Sequence, residues 1–179
     1  MKSLLTFALT MVLAWSACGQ LVEDASELSF SERIRFGGNM GASFGAFTQI
    51  IVEPTVGYIV TDRYFAGVSV LYQYIQIDDF FGLNEDFQSH YYGFRQLNNF
   101  WITPNIFAAG EIELLNYEFI EPFSNELTRG WVESVFVGGG FRSSLGGRGF
   151  MTLSLLYNLS YDSQSPYNSA FIPRIGIFF

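Results

Sequence analysis

Two carboxylates set two residues apart, Glu111 and Glu113, are where this 179-residue chain comes nearest to paired acid–base chemistry. On an extended segment they share a face, as a general acid and base would need to. Arginine neighbours would hold both as paired carboxylates, which suits ion pairing better than proton transfer. The only histidine, His90, follows Ser89. Serine hydrolysis or acyl transfer needs a histidine held against the hydroxyl, and adjacent side chains on an extended segment point to opposite sides. His90 therefore reads as a loop residue without a role. Asp78, Asp79, Glu85, Asp86 and His90 have donors for a divalent cation but lack the regular spacing of a calcium loop, so a solvated acidic loop is the better reading. Gly138-Gly139-Gly140 sits inside a strand pattern, where it eases packing or bending and cradles no phosphate. The expectation is a non-enzymatic protein without catalytic residues, cofactor or metal centre.

The charges make more sense as one set: Arg35, Glu53, Arg95, Glu111, Glu113, Arg142 and Arg174. All but Arg95 fall on the polar side of a segment that alternates with period 2, the alternation beginning at Arg33, and Arg95 is grouped with them on the inward face. In the first strand Ile34, Phe36, Met40, Ala42 and Phe44 oppose Arg35, Gly37, Asn39, Gly41 and Ser43. The second sets Ile50, Val52, Val56, Tyr58 and Val60 against Glu53, Thr55 and Gly57. The third sets Val68, Val70, Tyr72 and Tyr74 against Gly67, Ser69 and Gln73. The fourth, near Tyr91 to Ile102, has polar residues in both phases, and Asn98-Asn99 suggests a bulge. The fifth sets Ala108, Gly110, Ile112 and Leu114 against Glu111 and Glu113. The sixth sets Val135, Val137, Gly139 and Phe141 against Ser134, Gly138, Gly140 and Arg142. The seventh sets Leu153, Leu155, Tyr157, Leu159 and Tyr161 against Thr152, Ser154, Asn158 and Ser160. The last sets Pro173, Ile175, Ile177 and Phe179 against Arg174 and Gly176.

The connections sort into two kinds. Thr61-Asp62-Arg63, Thr103-Pro104-Asn105 and Gly146-Gly147-Arg148-Gly149 are tight turns by composition. Residues 78–90, 118–130 and 162–168 are longer, and only the first connection of that set, residues 45–49, is short. Short turns alternating with long loops is the asymmetry of outer-membrane barrels, and chain ends on the short-turn side require an even strand number. The expected fold is all-β: a transmembrane, antiparallel, up-and-down barrel of eight strands with a filled polar interior.

Composition points the same way. The chain is 49% hydrophobic and 18% aromatic, yet beyond the N-terminus no apolar run approaches the ~18 residues of a membrane helix. Such a chain is either a soluble β-sandwich or barrel, or a transmembrane barrel whose apolar residues take every second position. A formal charge of −8 excludes the basic patch that nucleic acid requires. Lys2, an apolar stretch from Leu4 to Trp15, and the small residues Ser16, Ala17 and Gly19 have the order of a secretory signal peptide. Cleavage after Gly19 would give a signal at residues 1–19, a flexible lead-in at 20–32 and a barrel at 33–179. Cys18 offers a rival reading as a lipidated cysteine, but Trp15 stands where a lipoprotein signal carries leucine. The mature chain then has no cysteine and no disulfide.

The chain closes on Phe178-Phe179 directly after an alternating strand. Ile175, Ile177 and the terminal Phe179 on one face read as the assembly signal recognised by the barrel-assembly machinery. With Pro54-Thr55-Val56-Gly57-Tyr58, Thr61-Asp62-Arg63, Val137-Gly138-Gly139-Gly140-Phe141-Arg142, Leu155-Leu156-Tyr157-Asn158, Ser165-Pro166-Tyr167 and Arg174-Ile175-Gly176, nearly all the mature chain resembles the small eight-stranded outer-membrane barrels of the OmpX and OmpA-barrel type, particularly a family common in Bacteroidota. The resemblance implies the barrel fold and an inward face for Glu111 and Glu113.

An eight-stranded barrel is just wide enough to be filled by side chains. Four arginines against three carboxylates are near balance, and buried charges must pair. A salt-bridged plug is the favoured reading, ahead of a narrow polar path and of a catalytic pair. Trp101, Trp131, Tyr58, Tyr72, Tyr74, Tyr157 and Tyr161 read as an interfacial girdle; Phe80, Phe81, Tyr91 and Phe123 are candidates for a stacking surface on outer loops. The expected location is the cell outer membrane. The expected role is structural or surface interaction, with lipid, lipopolysaccharide and a further ligand or protein as partners. A narrow porin-like channel or small-molecule carrier is the alternative, ahead of a lipid-modifying enzyme.

Overall fold

A computed structural model describes residues 25–43, 47–77, 87–120, 127–162, 165–167 and 169–179. The expected signal segment, its cleavage site and Cys18 lie outside the described residues. Eight antiparallel strands follow one another around a closed barrel: β1 (Ile34–Ser43), β2 (Phe47–Thr61), β3 (Tyr64–Ile77), β4 (Phe87–Trp101), β5 (Ile106–Ile120), β6 (Leu127–Gly146), β7 (Gly149–Asn158) and β8 (Phe171–Phe178). Closure leaves no free sheet edge over most of the circumference, so the ladder satisfies the backbone while side chains alternate inward and outward. Among the described residues no helix is long and apolar enough to cross a membrane.

For every strand but the fourth, the phase read from the sequence is the phase observed. Arg35, Glu53, Thr55, Ser69, Glu111, Glu113, Ser134, Thr152 and Ser154 are buried inside, whereas Phe36, Val56, Val68, Ile112, Val137, Leu153 and Ile175 face outward and are exposed. Strand β4 differs from expectation. It starts at Phe87, and its pairing to β3 runs without interruption from Phe87↔Ile77 to Phe100↔Tyr64, so no bulge forms at Asn98-Asn99. Tyr92, Phe94 and Phe100 point out, while Arg95, Leu97, Asn99 and Trp101 point in. Its phase was obscured because Gln96 and Asn98 occupy the outward face, where Asn98 accepts a 2.6 Å hydrogen bond from Tyr64.

The tight turns join strands at one end. Thr61 Oγ1 accepts from the Arg63 N–H, and Thr103 Oγ1 accepts from the N–H groups of Asn105 and Ile106. Gly146 (φ 90°) and Gly147 (φ 56°) provide the left-handed backbone of the third turn. The lead-in from Ala25 and the last residue of the described chain, Phe179, lie at the same end. Within the lead-in, Ala25–Glu27 forms a 3₁₀ turn and Phe30–Arg33 a single helical turn, α1. The Ala25 N–H donates to Asp62 Oδ1 at 2.6 Å, and Arg33 donates to the carbonyls of Ala25 and Leu28.

That end of the lumen is filled by rings. Phe65, Trp101, Phe107, Phe136, Phe150 and Phe178 form the main apolar cluster, with Phe178 stacked on Phe150 at a centroid distance of 5.0 Å and edge-on to Phe65 at 5.2 Å. Trp101 is thus a core residue, 2% exposed, and no part of a girdle. Inward-pointing residues at strand ends can be large and apolar because rings seal that end. A smaller cluster of Leu71, Leu115 and Tyr117 lies toward the loop end, packed against Tyr91, Phe119 and Val132.

The seam between β1 and β8 is the weak part of the ladder. Phe36 and Phe179 exchange both backbone hydrogen bonds, at 3.1 and 2.8 Å, and the register then contains only Gly37↔Phe178 and Gly38↔Ile177. Beyond that point β1 stays paired to β2 as far as Ser43, and β8 to β7 as far as Phe171.

Candidate functional site: a charged layer across the barrel

The charged layer begins with a register match. Arg95 on β4 lies directly opposite Glu113 on β5, and both side chains point inward. Arg95 Nη2 approaches Glu113 Oε2 at 2.6 Å, and Nε reaches the same oxygen at 2.9 Å. Arg95 Nη1 donates to Glu53 on β2, across the lumen. Glu111, one inward step from Glu113, lies 3.5 Å from Arg95 Nε and 3.0 Å from Arg174 Nε. Arg174, from β8, also reaches Glu113 Oε2 at 3.4 Å and covers the Phe136 ring at 4.8 Å. Two arginines from β4 and β8 thus tie together three glutamates from β2 and β5.

The guanidinium fork explains the choice of arginine, since one planar group serves several carboxylate oxygens at once. Burial makes the arrangement strict: Glu113 is fully buried, and Arg95 and Glu53 are each 5% exposed. A charge left alone here would be costly, so removing any member strands its partners.

Five of the seven charges expected in one cluster therefore meet; Arg35 and Arg142 do not join them. Arg35 Nη1 turns to the carbonyls of Glu32 and Ile34 at the short-turn end. Arg142 lies over the rings of Trp101 and Phe150, 4.4 and 4.5 Å from their centroids. The alternation gave these two the correct face. It carries no depth along the barrel axis, and depth separates them from the layer.

Tyr167 completes the layer and was not singled out as a site residue. Its hydroxyl donates to Glu113 Oε1 at 2.5 Å, and its ring packs edge-on to Phe136 at 5.6 Å. It belongs to the β7–β8 connection, where no periodicity indicates direction; Ser165-Pro166 before it was the only turn signal. Two spaces flank the layer. One of about 50 Å³ lies on the ring side, bounded by Thr55, Asn99, Thr152 and Ser154. The other, about 280 Å³, lies toward the loops, bounded by Gln49, Ile51, Leu71, Gln73 and Leu115.

Ser89 and His90 do not sit in a loop, because β4 extends through both. Their side chains part as adjacent strand residues must. Ser89 is buried and donates to Glu118 Oε2 at 2.8 Å, while His90 Nδ1 lies 2.9 Å from the Tyr72 hydroxyl on the outer surface. Tyr91 points inside against Tyr117, centroids 5.2 Å apart, and so presents no loop stacking surface. Phe80, Phe81, Phe123, Asp78, Asp79, Glu85 and Asp86 lie outside the described residues. Both glutamates of the Glu111/Glu113 pair are engaged by arginine. Ile175, Ile177 and Phe179 all face outward, with Phe179 70% exposed.

Comparisons with family models, with curated proteins and with solved structures find no match to this chain. The geometry of the barrel is therefore what any functional reading must rest on.

Proposed function

We propose that this chain is an outer-membrane β-barrel with a closed lumen, acting without enzymatic chemistry as a structural or surface-interaction protein. The observation that carries the reading is the inversion of its two surfaces. The interior holds a charged layer, while the outside carries Met40 at 80% exposure, Val68 at 61%, Phe94 at 58% and Leu155 at 56%. A soluble monomer rarely shows a contiguous apolar surface beyond a few hundred Å². A barrel whose outward strand faces are largely apolar needs an apolar solvent, and an antiparallel closed barrel satisfies its backbone there. The signal-like N-terminus and the outward Ile175, Ile177 and Phe179 support export and assembly in the outer membrane, with the barrel-assembly machinery and lipopolysaccharide as partners.

The lumen supports a closed state and no open pore. The arginine–glutamate layer and the ring cluster each cross the whole interior, so ions meet two successive barriers. Surface contact would then fall to the loops between β3 and β4, β5 and β6, and β7 and β8.

The test is fractionation followed by gel migration with and without boiling. A membrane-associated, heat-modifiable band is expected. A soluble periplasmic protein with no such shift overturns the barrel reading. In planar bilayers the purified barrel is expected to show no steady conductance; a stable ohmic current would overturn the closed lumen.

A further inference from the structure

We infer that the larger interior space is a binding site for a neutral single-chain amphiphile, a monoacylglycerol by chemical class, entered sideways through the β1–β8 seam. The inference rests on the membrane reading above and adds a ligand to it.

The seam is built to stay open. Because Phe36 and Phe179 exchange both hydrogen bonds, it is the odd-numbered residues of β8 that turn their backbone groups toward β1. Pro173 is one of them and has no N–H to give. The N–H of Phe171, another, is taken by Ser169 Oγ at 3.1 Å. On the opposite edge Gly38 has φ 143°, and a Cβ there would lie 2.0 Å from the Glu53 carbonyl oxygen, so only glycine fits. The ladder stops at that glycine.

The opening reaches the interior. Pro173 and Ile175 belong to the outward face, yet Pro173 borders the 280 Å³ space and Ile175 the 50 Å³ space. Asn39, on the facing edge of β1, borders both. Both spaces thus come up to the two edges of the unpaired seam. Within hydrocarbon an unpaired strand edge is disfavoured unless a polar group meets it. A ligand with a hydrogen-bonding head and an apolar tail meets both requirements.

The lining selects its chemistry. Ile51, Leu71, Leu115 and Ile172 offer apolar contact for a chain, and the amides of Asn39, Gln49 and Gln73 offer donors and acceptors. The floor holds Arg95 and Arg174 against Glu53, Glu111 and Glu113. Of these charges Arg95, Arg174 and Glu53 border the space, and each is already engaged within the layer, so neither an anionic nor a cationic head finds a spare partner and a neutral one is favoured. A volume of about 280 Å³ lies at the low end for small-molecule pockets, so the head and first part of the chain lie inside and the rest trails into lipid.

The test is equilibrium binding of radiolabelled monododecanoylglycerol to the folded barrel in nanodiscs. Saturable stoichiometric binding is expected for the wild type, weakened about tenfold or more by Leu71→Trp, which fills the space, and unchanged by Leu153→Trp on the outer face. Gln73→Trp repeats the filling test should Leu71→Trp not fold, as judged by heat-modifiable migration. Dodecanoate is expected to bind at least about tenfold more weakly than the glycerol ester. A heat-modifiable barrel that binds no ester beyond lipid partitioning, that binds equally after filling, or that prefers dodecanoate overturns the site. A wild type with no heat-modifiable form fails the membrane reading instead.

Discussion

Arg95 and Glu113 are register partners on neighbouring strands, and their charged ends meet 2.6 Å apart inside the barrel. The consequence is a hub and not a simple pair, since the same guanidinium also contacts Glu53 and Glu111. Arg95→Met should destabilise the barrel by about 3–5 kcal/mol, because three buried carboxylates would be left with Arg174 alone. Glu113→Gln should cost less, because the amide still accepts from Tyr167 and fewer charges are stranded. Urea titration of barrels reconstituted in lipid measures both, and equal costs would deny Arg95 its central place.

The two terminal phenylalanines should separate stability from assembly. Phe178 is 4% exposed among the rings of Phe65 and Phe150, so Phe178→Ala should cost about 3–5 kcal/mol. Phe179 is 70% exposed, and Phe179→Ala should change stability by less than about 0.5 kcal/mol. On the proposed reading it should nevertheless lower the amount of assembled barrel in the outer membrane. Immunoblots of membrane fractions, set beside in vitro unfolding, check the division.

Gly57 faces the Phe65 ring, whose Cζ lies 2.0 Å from where a Cβ would sit. Gly57→Ala should therefore cost about 1–3 kcal/mol through overpacking. Phe65→Leu in the same background should recover part of the loss, and additive costs of the two changes would contradict direct contact.

The lead-in should release in acid. Glu32 is lowered to about 2 from an ordinary 4.5, first by the Ser29 backbone N–H, then by the Ser29 hydroxyl and by Arg148. A depressed carboxylate stabilises the docked form fully above its unfolded value. That contribution shrinks as pH falls below about 4.5 and is gone below about 2. Protease sensitivity of residues 25–33 should rise across that window in the wild type. In Glu32→Gln it should be raised already at neutral pH.

Much of this architecture was legible because strand phase depends only on parity. Arg35, Glu53, Arg95, Glu111, Glu113, Arg142 and Arg174 were placed on the inner face by alternation or by strand context, and all seven charges face inward or line an end of the lumen. Depth was not legible, since period 2 says nothing about height in the barrel, and so Arg35 and Arg142 were grouped with a layer they do not join. The phase of β4 was masked by Gln96 and Asn98, polar residues on the outer face stabilised by contacts with Tyr64 and one another. His90 looked like loop because a polar run hid the start of the strand. Tyr167 was missed for the opposite reason: an irregular connection has no period, and only tertiary folding brings its hydroxyl to Glu113.

The short seam also bears on how the barrel forms. Joining β1 to β8 unites the first and last strands, the longest loop to close, for the smallest return in backbone bonds. What holds the cylinder shut is the wedge of Phe178 between Phe65 and Phe150. Closure should thus come last, latched by interlocking rings, with a curled, seven-seamed sheet as the species before it.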